Sequence, residues 1–133
     1  MKKIIAIVSL VMLTGCSTLV DGVLGKYHNY DAVEYNLSVD LVVRSRGIEP
    51  RCSDTASAKK EIHDLGQRVD YFVAYTEGRQ YNKRTNELAK KMKDMVIDTE
   101  KRDIMSPFFC RERAKNIVKA AEIIRSSSGE KRE

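Results

Sequence analysis

The chain has 133 residues, of which 42% are hydrophobic and 32% charged, with 24 Lys and Arg against 19 Asp and Glu. This length fits one domain, and the apolar fraction excludes a wholly disordered chain. Two histidines, three cysteines and no tryptophan supply little material for a metal centre, a nucleophile–base pair or a base-stacking surface.

The N-terminal segment has the features of an export signal. Lys2 and Lys3 precede an apolar run over residues 4–13, which ends in Leu13-Thr14-Gly15-Cys16. The run is shorter than the about 20 residues that cross a bilayer and has the size of a signal-peptide core. The segment resembles bacterial lipoproteins, whose lipobox has this form. The resemblance implies cleavage after residue 15 and acylation of Cys16. A simple secretory signal that happens to contain a cysteine, or an uncleaved anchor, is the alternative.

The residue after the lipobox cysteine bears on the destination. In the lipoproteins that this segment resembles, an aspartate there favours retention in the inner membrane, and this chain has Ser17. The resemblance therefore implies a lipid-anchored protein of the outer membrane, facing the periplasm, if the host has an outer membrane. In a Gram-positive host the plasma membrane takes its place. Residues 16–30 then form the lipidated N-terminus and a tether.

The remaining cysteines, Cys52 and Cys110, would lie in an oxidising compartment. We therefore predict one disulfide, closing a loop of about 60 residues. Two buried thiols are the alternative. A metal site is disfavoured because neither cysteine belongs to a CxxC motif or has a nearby histidine.

Helical patterns fill residues 31–126. Asp31-x-x-Glu34 is a possible capping box, and Val33, Leu37 and Leu41 follow at spacings of four before Gly47. A second helix, capped by Ser53 or Asp54 and stopped near Gly78, has an apolar stripe at Ala58, Ile62, Leu65, Val69 and Phe72.

Two more helices complete the pattern. The third is highly charged, with apolar positions at Leu88, Met92, Met95 and Val96 and an i,i+4 pair, Asp98 with Arg102, on its solvated face. The fourth begins at Ser106-Pro107 and has a stripe at Cys110, Ala114, Ile117, Ala121 and Ile124. Residues 127–133 are predicted to be a flexible tail. The sequence therefore predicts an all-α fold, a small four-helix bundle.

The order of the helices supports the disulfide. Short connections make consecutive helices antiparallel, so the second and fourth helices start at the same end. Cys52 lies just before the second helix and Cys110 in the first turn of the fourth. A bridge would then require the starts of these two helices to be adjacent, and it would stabilise a small core.

The sequence contains few candidates for catalysis. His63 and Asp64 are neighbours on one helix and do not face each other, so His63 is interpreted as a surface residue. Gly66 lies on the stripe of the second helix, where close approach of another backbone is one reason for a glycine. No hydrolase, zinc-protease or phosphate-loop motif is present. We therefore expect no enzyme and no cofactor or metal.

These features favour an interaction protein. The expected architecture is similar to that of secretion pilotins, small helical lipoproteins that bind an outer-membrane channel subunit; no motif carries that similarity. We expect an outer-membrane accessory or adaptor that binds another envelope protein through apolar side chains. A phage- or plasmid-encoded envelope lipoprotein for exclusion or lysis is the alternative, and a small-ligand carrier or an enzyme is less favoured. A net charge of +3 for residues 16–133 does not imply nucleic acid.

Overall fold

A computed structural model describes residues 31–79 and 81–129. They form helices α1 (Ala32–Arg46), α2 (Thr55–Thr76), α3 (Lys83–Glu100) and α4 (Pro107–Gly129), with a 3-10 turn at Glu49–Arg51. These residues contain no strand, which confirms the all-α prediction. None of the described helices combines the length and apolarity that a membrane span requires.

The four helices form an antiparallel bundle. Each packs against its neighbour in the chain, and α1 also packs against α4, so the helices enclose one core. Ion pairs show the direction of α2 and α3: His63, early in α2, pairs with Glu100 at the end of α3, while Glu77 after α2 pairs with Lys90 early in α3. The 23-residue helix α4 spans about 35 Å, which sets the distance between the two ends of the bundle.

The stripes predicted for the second and fourth helices are confirmed. Every one of those positions is at most 2% exposed. Met92 and Val96 of α3 are fully buried, and Leu88 and Met95 pack against the core from its edge. Spacings of three and four therefore identified the buried faces of three of the helices.

Helix α1 does not follow its predicted stripe. Val33 is 53% exposed, and only Leu41 of the three expected residues is fully buried. The buried face instead includes Glu34, Ser38, Leu41, Val42 and Ser45. The two serine hydroxyls donate to carbonyls of their own helix, at 2.6 Å each. Because their hydrogen bonds are made locally, these small polar residues can be buried at little cost.

Local capping sets the helix starts. Asp31 and Asp54 each accept hydrogen bonds from two amides of the following turn, and the Ser106 hydroxyl accepts one from the Phe109 amide at 3.2 Å. Gly78, just after α2, has φ +73°, which glycine adopts without steric cost. The predicted capping residues Asp31 and Ser106 and the glycine stop are therefore present, and Asp54 rather than Ser53 caps α2.

The fourth helix is longer than predicted. It continues to Gly129, Ser128 is fully buried, and the Ser127 hydroxyl lies 2.9 Å from that of Thr85. A flexible tail from residue 127 is therefore wrong for residues 127–129, because α3 and α1 cover this end of α4. Residues 130–133 lie outside the described part.

Candidate functional site

The predicted site residues divide into two groups. Cys16 and Ser17 lie outside the described residues, so lipidation and sorting stay predictions. Cys52 and Cys110 form a disulfide with Cα atoms 5.5 Å apart, as predicted. Both are almost completely buried.

The disulfide links the bundle across its diagonal. Helices α2 and α4 are not neighbours, since each packs along its length against α1 and α3. Their starts are nevertheless close, as predicted, since the Thr55 hydroxyl at the start of α2 lies 3.5 Å from the Met105 carbonyl just before α4. The turn at Glu49–Arg51 contacts both helices and presents Cys52 to Cys110. The position of this turn cannot be predicted from the spacing of apolar residues in the helices.

The end of the bundle that contains the disulfide also exposes two large apolar side chains. Ile104 is 90% exposed and Phe108 is 70% exposed, the two highest values among the exposed large hydrophobic residues of the described chain. Beneath them, Ile48, Met105 and both bridged cysteines are buried. Exposed apolar side chains above a rigid support are a common feature of protein-binding surfaces.

Arginines lie beside this apolar pair. The Arg102 guanidinium lies 4.3 Å from the centroid of the Phe109 ring, and that of Arg113 lies at 5.3 Å. Arg113 also binds Asp98 at 2.7 Å. Arg102 therefore uses an aromatic ring of α4 instead of the Asp98 partner that its i,i+4 spacing predicted. We call Arg102, Ile104, Phe108, Phe109 and Arg111 the tip surface.

The loop that carries Ile104 is held on both sides. Lys59 of α2 donates to the Asp103 carbonyl at 3.1 Å, and the Thr55 hydroxyl lies 3.5 Å from the Met105 carbonyl. Met105 itself is buried. The backbone on each side of Ile104 is therefore fixed, and its exposure follows from the fold.

The opposite end, where the described chain begins, is polar. Asp31 caps α1 and also accepts a hydrogen bond from the Tyr75 hydroxyl at 2.8 Å and an ion pair from Arg79. Partial burial opposes ionisation of Asp31, but the hydrogen bonds from Tyr75, the Glu34 amide, Arg79 and the Val33 amide outweigh it and lower its pKa. The start of α1 is thus tied to the end of α2.

Amide side chains connect the rest of this polar end. Asn82 precedes α3 without a capping hydrogen bond to it, and its amide group donates to the buried carboxylate of Glu34. Asn86 donates to the Val73 carbonyl at 3.0 Å and to the Thr76 hydroxyl at 2.9 Å. Buried polar groups require such partners, so these contacts specify how the helices meet at this end.

A shallow groove of about 90 Å³ runs between α2 and α3. His63 Nδ1 lies 2.6 Å from Glu100 Oε1 at one edge, and Lys93 pairs with Asp70 at 2.8 Å. The hydrogen bond with Glu100 raises the pKa of His63. Above Gly66, an added Cβ would lie 3.5 Å from Val96 and 3.9 Å from Glu100, both side-chain contacts of ordinary length. Backbone approach therefore does not explain this glycine.

The charged side chains of the groove bind each other and are largely exposed. Partnered, solvated groups of this kind are typical of a helix surface. Across residues 31–79 and 81–129, no group of three or more His, Cys, Asp or Glu side chains is arranged to hold a metal ion. The tip surface, in contrast, combines unusual exposure with a rigid base, and it is the best candidate site.

Sequence reasoning did not select Ile104 or Phe108. A usable signal was present for Phe108, which lies off the Cys110–Ile124 stripe of the fourth helix. Ile104 precedes that helix, and no periodic pattern distinguishes it from the buried Met105. No protein-family model, curated protein or solved structure matches the chain. Its function therefore has to be argued from its own residues.

Proposed function

We propose that this protein is a lipid-anchored adaptor of the bacterial outer membrane, which binds another envelope protein at its tip surface. Two features support the proposal. The lipobox at residues 13–16 with Ser17 points to a lipid anchor and to outer-membrane sorting. The tip surface lies at the end of the bundle opposite to Asp31, where the chain continues towards Cys16.

The placement of the tip surface at the end opposite to Asp31, where the described chain begins, is the observation that carries the proposal. The described chain begins beside Tyr75 and Arg79 at the end of α2. Ile104 and Phe108 lie at the other end, about 35 Å away along the helices. A partner seated on the tip would not cover the point at which the chain enters the bundle. A binding surface far from that point suits an adaptor.

Site-specific photocrosslinking in the native host tests the binding role. A benzoylphenylalanine residue placed at position 108 should give one dominant covalent adduct with an envelope protein. The matched control replaces Tyr81, which is 59% exposed and lies near the polar end. It should not give that adduct. No adduct from position 108, or the same adducts from both positions, would refute the adaptor function.

Fatty-acid labelling and fractionation test the anchor separately. The wild-type chain should take up a fatty-acid analogue and sediment with outer-membrane markers, while Cys16→Ser should do neither. Ser17→Asp should keep the label and move the protein to the inner membrane. Equal labelling of wild type and Cys16→Ser would refute lipidation at this residue.

A further inference from the structure

We propose that the tip surface recognises an acidic, amphipathic segment of a protein, with apolar side chains against Ile104 and Phe108 and carboxylates against Arg102 and Arg111. This inference rests on the proposed adaptor function and adds the chemistry of the partner. Three observations carry it: the positive charge of the tip segment, the tip arginines that have no carboxylate partner, and the rigid placement of the apolar pair.

The segment that forms the tip has a net positive charge. Residues 101–115 contain five Lys and Arg against two Asp and Glu, a net charge of +3. Residues 31–129 as a whole contain 19 against 16, also +3. Residues 79–93, from the end of α2 into α3, are also positive, with six Lys and Arg against one Glu. The tip differs from them in that its positive charge lies beside the most exposed large apolar side chains of the described chain, Ile104 and Phe108. A positive surface favours an acidic partner and increases the rate of its association.

The tip cations divide into paired and available groups. Arg113 binds Asp98, and Lys115 binds Glu112 at 3.1 Å. Lys101, Arg102 and Arg111 are exposed, and no carboxylate of the described residues lies within 4.0 Å of their charged groups. Arg111 lies one turn after Phe108, so both share one face of α4. The available guanidinium groups therefore flank the apolar pair.

The arrangement favours a protein segment over an anionic membrane. Arg102 is positioned by the Phe109 ring, and a planar guanidinium held in place suits bidentate binding of a carboxylate. The carboxylates of Asp103 and Glu112 are also exposed in this region. A continuous anionic surface would meet both of them, whereas a peptide can place its carboxylates opposite the arginines alone. The apolar pair would bury its exposed area against the other face of the same peptide.

A binding assay with synthetic probes tests the chemistry. The protein is the soluble mature chain of residues 16–133 with Cys16→Ser, and the main probe is a fluorescein-labelled helical peptide of Leu and Glu, with Leu at i, i+3, i+4 and i+7. A second peptide has Lys in place of every Glu. Anisotropy should show that the Glu peptide binds on the order of tenfold more tightly, and that added NaCl weakens this binding.

Variants assign the binding to the tip. Arg102→Glu with Arg111→Glu, and separately Phe108→Ser, should each weaken binding of the Glu peptide by about tenfold or more. The charge control, Lys83→Glu with Arg84→Glu at the polar end, and the apolar control, Val43→Ser, should leave it unchanged. Equal binding of both peptides, or equal losses in the controls, would overturn the inference. If the protein binds phosphatidylcholine–phosphatidylglycerol vesicles as tightly as the Glu peptide, the inference is also overturned, because the tip would then be a membrane-binding surface.

The photocrosslink from position 108 separates this inference from the adaptor function. If the adduct forms and Arg102→Glu with Arg111→Glu abolishes it, the acidic partner is supported. If the adduct persists at full yield in that variant, the charge assignment is wrong and the adaptor function stands. If no adduct forms in the wild type, the adaptor function itself fails.

Discussion

The two ends of the bundle are built by different means. At the tip end, the disulfide and the buried side chains of Ile48 and Met105 hold the loops together, and large apolar side chains are exposed above them. At the polar end, hydrogen bonds from Tyr75, Asn82 and Asn86 join the helices around buried polar groups. The disulfide holds its end by a covalent bond, whereas the polar end depends on the alignment of hydrogen-bond partners from different helices.

The largest expected effect is loss of the bridge at the tip end. Cys52→Ala and Cys110→Ala should each lower the free energy of unfolding by about 2 to 5 kcal/mol, because the cross-link constrains the unfolded chain. Thermal unfolding should show equal losses for the two single variants and no further loss for the double variant, since they share one bond. Reductant should bring the wild type to the same melting temperature. A wild-type melting temperature unaffected by reductant would contradict this.

The polar end should be sensitive to one buried amide. Asn86→Ala removes the donor to the Val73 carbonyl and the Thr76 hydroxyl, and it should lower the free energy of unfolding by about 1 to 3 kcal/mol. Asn116→Ala, at an exposed position of α4, is the control and should stay within about 0.5 kcal/mol of wild type. Chemical denaturation of both variants measures the difference. Equal effects would mean that the polar contacts do not stabilise this end.

Acid should weaken the polar end through Asp31. Its pKa is below the ordinary value of 3.8, so ionised Asp31 contributes stability that is complete above that value and is lost as the pH falls through its lowered pKa. Asp31→Asn keeps a capping side chain and removes the charge. The variant should therefore be less stable than wild type at neutral pH, with a difference that shrinks in acid. A difference that is independent of pH would show that the charge is not responsible.

A rise in pH should lower the stability of the other half of the bundle, by a smaller amount. The pKa of exposed His63 is raised above 6.5 by Glu100, so this pair stabilises the fold fully below pH 6.5 and loses its contribution as the pH rises through the raised pKa. NMR titration should show that Glu100→Gln returns the His63 pKa towards 6.5, while Glu87→Gln, at an exposed site of α3, leaves it unchanged. If the His63 pKa in Glu100→Gln equals that of the wild type, Glu100 does not raise it, and the predicted loss of stability with rising pH is wrong.

Local patterns in the sequence accounted for most of the fold. The stripes of α2 and α4, the Asp54 and Ser106 caps and the Gly78 stop depend on residues within a few positions of each other, so they could be predicted. The alternation of helix directions also placed Cys52 and Cys110 at one end. The diagonal path of the bridge could not be predicted, because it depends on how the Glu49–Arg51 turn packs between α2 and α4.

Tertiary structure decided which polar groups are buried and which apolar groups are exposed. The burial of Glu34 depends on a hydrogen bond from Asn82, 48 residues away. Arg102 packs on the ring of Phe109, in helix α4, and does not pair with Asp98. The exposure of Phe108 likewise depends on the face that α4 turns to its neighbours. Periodicity and capping act over one or two turns of one helix, so the sequence by itself determined the helices and the end at which the cysteines meet. The partners of buried polar groups come from distant parts of the chain, and only the packed bundle brings them together.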